Sequence, residues 1–344
     1  MKNHRSYSQN LRNNNRMINF LLTVDTEEEG LWGGNYKRHN EYTVDNIEYL
    51  PSFQEFCNRL GIHPTYFIDY PVVSNSNSRR VLQELLKNGN CELGAHLHPW
   101  CNPPYNEDLN FRNSYTNNLP PELQFKKLKV LTEAMVDNFG ITPISYRAGR
   151  YGFDETSIPV LEELNYKIDS SVVPYRKNGI EDEPSFGLVD LNPYFLSYED
   201  VCISGESNIL EVPITVEFTR KAPDVFKKIY PSLPNLGIRR LLRTTLNLDL
   251  VWLRPSYSTV PAMIKLVDNV ISNGTTVLNM MFHSTELMPG ASPYNKTAED
   301  VNNFLGKIQK IATYTKERYP ANFNTLKGIP QFSREMNPTS TTSV

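Results

Sequence analysis

Ile18-Asn19-Phe20-Leu21-Leu22-Thr23-Val24-Asp25-Thr26-Glu27 is the stretch on which the reading of this chain turns. From Ile18 to Val24 the run is almost continuously apolar, as a strand buried on both faces of a parallel sheet must be. It stops at Asp25, where a carboxylate would be costly to desolvate unless paired or bound to a metal. Runs of similar character recur at Thr65 to Ile68, Cys91 to Ala95, Ile144 to Arg147, Tyr166 to Ile168, Ile209 to Val216 and Thr275 to Phe282. That makes about seven strand candidates separated by helix-like stretches, the pattern of repeated β-α units in a parallel sheet or barrel.

The intervening helices announce themselves by spacing and by their ends. Val81 to Lys87 stops at Asn88-Gly89, and Pro121 to Phe139 stops at Gly140. Both are C-cap signals. Thr156 to Leu164 and Pro261 to Ser272 read as helices too, and Thr297-x-x-Asp300 resembles a capping box opening a helix over Ala298 to Lys316. Two segments fit the rhythm poorly. Tyr175 to Glu199, rich in Pro, Gly and aromatics, reads as a long loop over one end of the barrel. Arg220 to Ser256 holds Arg239, Arg240 and Arg243, either a solvated helix face or a contact for an anionic substrate group. Residues 1–16 read as a disordered leader and 331–344 as a flexible tail, leaving 17–330 as a single barrel domain.

Composition narrows the function. Of 344 residues, 39% are hydrophobic and 21% charged, as in an ordinary globular protein, and the net charge of -3 offers no electrostatic case for nucleic acid or an anionic membrane. No apolar run approaches the roughly 20 residues of a membrane span. Cys57, Cys91, Cys101 and Cys202 are scattered without a C-x-x-C pair and read as free thiols. With no apolar core of a secretory signal near the start, the cytoplasm is the expected location.

Chemistry gathers where strands end, the place where parallel α/β architectures bind ligands. Asp25-Thr26-Glu27, His96-Leu97-His98, Arg147, Asp169 and His283 all stand at such ends. In extended backbone, residues i and i+2 face the same side. His96 and His98 can therefore face one metal, and Asp25 and Glu27 can offer one ligand and one base; the plainer alternatives are hydrogen-bonded loop histidines and a solvated acidic loop. His283 is either a satisfied core histidine or, at its strand end, a proton donor near neutrality. Arg147 and Asp169 could orient a carboxylate and an imidazole respectively, with Arg150 able to replace Arg147.

Taken together these residues resemble the polysaccharide deacetylase family (carbohydrate esterase family 4, the NodB homology domain), and within it the WalW-like proteins of lipopolysaccharide biosynthesis. The resemblance runs from about Asn19 to Ile311. Its carriers are Thr23 to Gly30 (TVDTEEEG), Glu92 to Trp100 (ELGAHLHPW) with Asn102-Pro103-Pro104, Tyr146 to Gly152 (YRAGRYG), Asp169 to Pro174 (DSSVVP) and Phe282 to Tyr294 (FHSTELMPGASPY). It implies a distorted (β/α)7-type barrel. It also implies catalytic roles for Asp25, Arg147, Asp169 and His283, with a divalent metal, expected to be Zn²⁺, on His96, His98 and Glu27. Two departures stand out: Thr26 occupies the place of the family's second aspartate, and the histidine pair is two residues apart instead of four. The implied reaction is hydrolysis of N- or O-acetyl groups on a glycan or glycan precursor of surface polysaccharide synthesis. Trp32, Trp100, Tyr151 and Tyr105 are candidates for stacking against sugar, or else for core and rim packing. Two other readings keep the same barrel: a cyclic-amide hydrolase of allantoinase type, and a degenerate barrel that binds glycan without cleaving it.

Overall fold

The computed structural model describes residues 16–34, 36, 38–39, 41–176, 182–230, 237–246 and 248–329, without the side chains of Ile238 and Arg243. The expected leader (Arg16 apart) and the expected tail lie outside the described residues, as does Arg243's share in the basic patch. In chain order the main elements begin with β1 (Ile18–Thr26), α1 (Leu50–Leu60), β2 (Thr65–Ile68), α2 (Tyr70–Ser74), α3 (Ser76–Lys87), β3 (Glu92–Leu97), α4 (Pro121–Phe139), β4 (Ser145–Ala148) and α5 (Ser157–Glu163). They continue with β5 (Ile168–Asp169), β6 (Tyr194–Phe195), β7 (Leu210–Glu211), β8 (Val216–Phe218), α6 (Asp224–Ile229), α7 (Ile238–Leu246), β9 (Leu250–Trp252), α8 (Val260–Ser272), β10 (Val277–His283), α9 (Ala298–Arg318) and β11 (Ala321–Phe323).

The main sheet runs β10-β1-β2-β3-β4-β5-β7-β6, with β11 also pairing to β1. Every pairing from β10 through β7 is parallel, and only the edge strand β6 is antiparallel. This is the parallel sheet that the strand rhythm predicts, curled as the resemblance implies. Alternation along β1 shows how it is filled. Phe20, Leu22 and Val24 face outward into the core shared with the helices, whereas Leu21 faces inward to a smaller core with Phe67, Ile168, Leu210, Val212 and Val277. By the same two-residue period Thr23 and Asp25 also face inward.

The helices cap as their sequences demand. Thr297 accepts from the Asp300 amide and the Asp300 carboxylate accepts from the Thr297 amide, a capping box at the start of α9. Gly140 closes α4 at φ 65°, a conformation few other residues take readily. Two expectations need revision. The segment Ile209 to Val216 is not one strand, because Pro213 has no N–H for a ladder; β7 ends before it and β8 begins after it. The loop expected over Tyr175 to Glu199 contains β6, and the irregular stretch Arg220 to Ser256 contains α6, α7 and β9.

The barrel is completed without a regular ladder between β7 and β10. Across this seam the Thr215 amide donates to the Asn279 carbonyl (3.2 Å) and the Leu253 amide to the Thr215 carbonyl (2.8 Å). The Met281 amide then donates to the Leu253 carbonyl (3.3 Å), and the Asn279 amide to the Thr215 hydroxyl (2.8 Å).

Candidate functional site

Strand register sets up the site before any side chain is considered. Asp25 on β1 is paired with His283 on β10, and His96 on β3 with Arg147 on β4. All four positions lie at the carboxyl ends of their strands, around a cavity of about 390 Å³. Asp25, Glu27, His96, His98 and His283 line it, together with Trp32, Trp100, Tyr151 and three arginines.

Glu27, His96 and His98 converge on one point. Their ligand atoms lie within 4.8 Å of one another, and Glu27 Oε2 is 3.4 Å from Nε2 of both imidazoles. The second ring nitrogens fix the tautomers. His96 Nδ1 lies 2.9 Å from the Arg147 carbonyl, and His98 Nδ1 lies 3.1 Å from the Glu28 carboxylate. A carbonyl or carboxylate only accepts, so each Nδ1 holds the hydrogen and each Nε2 presents a lone pair toward Glu27. Three lone-pair donors aimed at one point fit a divalent cation, and two nitrogens with one oxygen is a donor set suited to zinc.

The carboxylates agree with this. Burial, reinforced by Asp25, Glu28 and Asp69, pushes the Glu27 carboxyl well above its ordinary value despite the opposing influence of His283. Asp69 rises for similar reasons, burial first and then its neighbour Glu28. Burial, with His96 beside it, pulls His98 well below the usual imidazole range, keeping it a neutral ligand. Groups whose folded pKa is raised stabilise fully below their unfolded values, about pH 4, and lose that contribution as pH rises through the folded value. Glu27 and Asp69 therefore weaken metal-free protein as pH rises, against the opposite contribution of His98, and a cation at Glu27 should offset their loss, by about 2.7 kcal/mol at a hundredfold excess over Kd. Melting temperatures at pH 5 and pH 8, with chelator and with Zn²⁺, check this; the gain from Zn²⁺ is expected to be larger at pH 8. Equal gains at the two pH values would contradict it.

Asp25 behaves oppositely. Burial acts to raise it, but Arg147, aided by His96 and His283, holds it at about 2. Arg147 Nη1 donates to Asp25 Oδ1 at 2.6 Å, while Nη2 reaches the Thr23 and Ser170 hydroxyls and Nε the Ser170 carbonyl. The guanidinium also lies over the Phe67 ring at 4.4 Å. Gly94 makes room for that ring, since a Cβ there would sit 2.7 Å from it. Arg150, the alternative to Arg147, lines the cavity instead.

His283 Nε2 stands 3.7 Å from both Asp25 Oδ2 and Glu27 Oε1. Its Nδ1 faces Arg254 Nη2 at 3.0 Å and Glu286 Oε1 at 3.4 Å. Because arginine only donates, the neutral ring accepts at Nδ1 and keeps its proton on Nε2, toward the cavity. Glu286 becomes the acceptor once the ring is doubly protonated. Arg254 and Glu286 are themselves joined at 2.8 Å and buried.

The structure does not bring Asp169 to His283. Asp169 accepts from the Ser171 amide and hydroxyl and stands beside Glu211 in the β5–β7 pairing; burial raises both carboxyls. It braces the barrel wall, and the groups holding His283 are Glu286 and Arg254. Trp100 reaches the cavity but is 1% exposed, stacked on His98 at 4.4 Å and donating to Glu28 at 2.6 Å. Its place is behind the histidine, leaving no face for a sugar. Tyr105 stands apart from the cavity, under Arg38 and Lys127. Trp32 meets His283 edge-on at 5.0 Å, and Tyr151 lines the wall. None of the basic-patch residues Arg239 and Arg240 lines the cavity.

Sequence reading passed over Glu28, Asp69, Arg254, Glu286 and Lys127. Glu28 and Glu286 were visible beside motif residues, in Glu27-Glu28-Glu29 and three places after His283. Lys127 gave no signal, yet its buried ammonium donates to the carbonyls of Pro99, Asn102 and Pro104 and so anchors the loop after His98. Gly149 backs the same imidazole: an added Cβ would overlap the His98 ring and lie 2.6 Å from the Leu97 carbonyl. Gly149→Ala is expected to cost about 1–3 kcal/mol by overpacking and to weaken metal binding through His98. Thermal melts and a metal titration check it, and unchanged values for both would refute the close packing.

All four cysteines are unpaired, and among the described residues no helix is long and apolar enough to cross a membrane. No family model matches the sequence, and no curated protein matches it. Solved structures do. A glycoside hydrolase/deacetylase structure from Parabacteroides distasonis superposes with a TM-score of 0.56 at 16% identity, over 91% of this chain and 69% of that one. A polysaccharide deacetylase structure from Mycobacterium smegmatis gives 0.47 at 14% identity, over 88% and 91%. Puue allantoinase gives 0.46 at 14% identity, over 91% and 88%. The chain has the NodB-type deacetylase fold, a curled parallel half-barrel with its candidate site at the carboxyl ends of the strands.

Proposed function

We propose that this protein is a metal-dependent hydrolase that removes acetyl groups from a glycan. One observation supports the reading above the others. Glu27, His96 and His98 form a ligand set on the floor of a cavity that also holds an ionised carboxylate, Asp25, and a proton-bearing imidazole, His283. A divalent cation held by those three residues would supply Lewis acidity and lower the pKa of a water molecule.

The chain's own residues account for the proton movements. Asp25 stays ionised because Arg147 holds one of its oxygens, leaving the other free to accept the proton of the attacking water. A new C–O bond forms at the acetyl carbon. In its doubly protonated form, with Nδ1–H on Glu286, His283 delivers its Nε2 proton to the departing nitrogen or oxygen as the bond to the acetyl carbon breaks, and is left as a neutral ring. Acetate and the free amine or hydroxyl leave. As Asp25 returns its proton through His283, the Arg254–Glu286 pair keeps the ring aligned. Trp32 and Tyr151 offer flat faces or edges for a sugar ring beside this apparatus.

Acetate release tests the proposal. Zn²⁺-loaded protein is expected to liberate acetate from acetylated oligosaccharides or acetylated amino sugars, and chelator is expected to abolish it. A panel of N- and O-acetylated glycans giving no acetate with fully loaded protein would overturn it.

A further inference from the structure

The cleft holds more positive charge than acetyl hydrolysis uses. Three arginines line it: Arg150, Arg176 and Arg254. Arg254 is neutralised by Glu286 at 2.8 Å, and beneath the cavity floor Arg147 is neutralised by Asp25 at 2.6 Å. Arg150 has only Glu183, 4.0 Å away, and that carboxylate already accepts from the Tyr115 hydroxyl at 2.7 Å. Among the described residues Arg176 makes no ion pair; its guanidinium lies over the Tyr151 ring at 4.8 Å. At the wall of a ligand-sized cavity, two guanidiniums thus stand with a single ion pair, that of Arg150, among the described residues.

Arg150 is held in place by its neighbours. Arg150 donates to the hydroxyls of Ser114 and Tyr115 and lies over the rings of Tyr36 (4.0 Å), Tyr115 (3.8 Å) and Phe111 (4.9 Å). A guanidinium fixed on several sides loses little freedom when it binds. The backbone provides a second, independent sign. Arg150 (φ 56°), Tyr151 (φ 60°) and Tyr175 (φ 62°) are three of the four non-glycine residues with positive φ among those described. Left-handed backbone is costly for such residues and gathers at ligand sites. Here it marks both turns that bring an arginine to the cavity.

We propose that Arg150 and Arg176 form an anion subsite, so that the sugar bound in this cleft bears a carboxylate or a phosphate close to the acetylated position. The proposal rests on reading the cleft as a glycan site. Planar guanidiniums suit both anions through paired, charge-assisted hydrogen bonds. An uncharged glycan would leave the excess charge unanswered in a half-enclosed site.

Binding tests this without requiring turnover. Calorimetric titrations of glucuronate, glucose 1-phosphate and methyl glucoside, none of them acetylated, are made on Zn²⁺-loaded and on chelated protein. At least one anionic sugar is expected to bind about tenfold or more tightly than methyl glucoside in both forms. The preferred anion identifies the carboxylate or the phosphate as the recognised group. Arg176→Gln is expected to remove most of that preference and Arg176→Lys to keep part of it, with melting temperatures unchanged because this side chain makes no ion pair among the described residues. The subsite is overturned if neither anion outcompetes methyl glucoside, if the preference vanishes on chelation (ligation by the metal alone), or if it survives Arg176→Gln. Absence of acetate release with intact anion preference would instead count against the hydrolase reading and leave the subsite standing.

Discussion

His96→Ala is expected to strip the protein of its divalent cation and bring acetate release down to background. The His96 ring is buried and has one nitrogen committed to the Arg147 carbonyl and the other aimed at Glu27. No other described histidine stands ready to replace it, because His98 already serves the same point and His283 faces the opposite oxygen of Glu27. Two of three protein ligands would remain, too few for the three-ligand arrangement usual in catalytic zinc sites. Elemental analysis after dialysis is the direct measurement, with occupancy falling from about one per chain to about a tenth or less. Full occupancy in this variant would place the metal elsewhere.

His283→Ala should separate chemistry from metal binding. His283 lies beside the ligand set without belonging to it, so the cation should remain while turnover falls by about 10²–10⁴-fold, the usual worth of a positioned general acid. Loss of metal in parallel with activity would make His283 a ligand, and near-normal turnover would remove it from the reaction.

Much of this site is legible in the chain because i and i+2 residues on a strand share a face. That geometry places Asp25 below Glu27 and His96 below His98 whatever the rest of the fold does. Strand order then decides which pairs meet, and only the folded sheet supplies it, setting β10 beside β1 and β3 beside β4. What escaped lies where no period operates. β6, β9 and β11 have two or three residues each, too short for alternation to register. The helix α1 was overlooked although Leu50, Phe53, Cys57 and Leu60 follow helical spacing and Gly61 closes it. Asp169 illustrates a different difficulty. Its position at a strand end pointed to His283, but the distance between β5 and β10 around the barrel is a tertiary fact, and the acid that reaches the imidazole is Glu286, three residues along the chain. Arg254 enters from β9's far end, at a separation of 29 residues from its partner.

The seam between β7 and β10 gives the molecule an unequal mouth. On one side β10 is laced to β1 along seven residue pairs that end at Asp25 and His283, whereas its other side is stitched by single bonds through Thr215 and Leu253. The His283 ring thus rides on the same ladder as Asp25, and its arginine partner reaches it from across the looser edge.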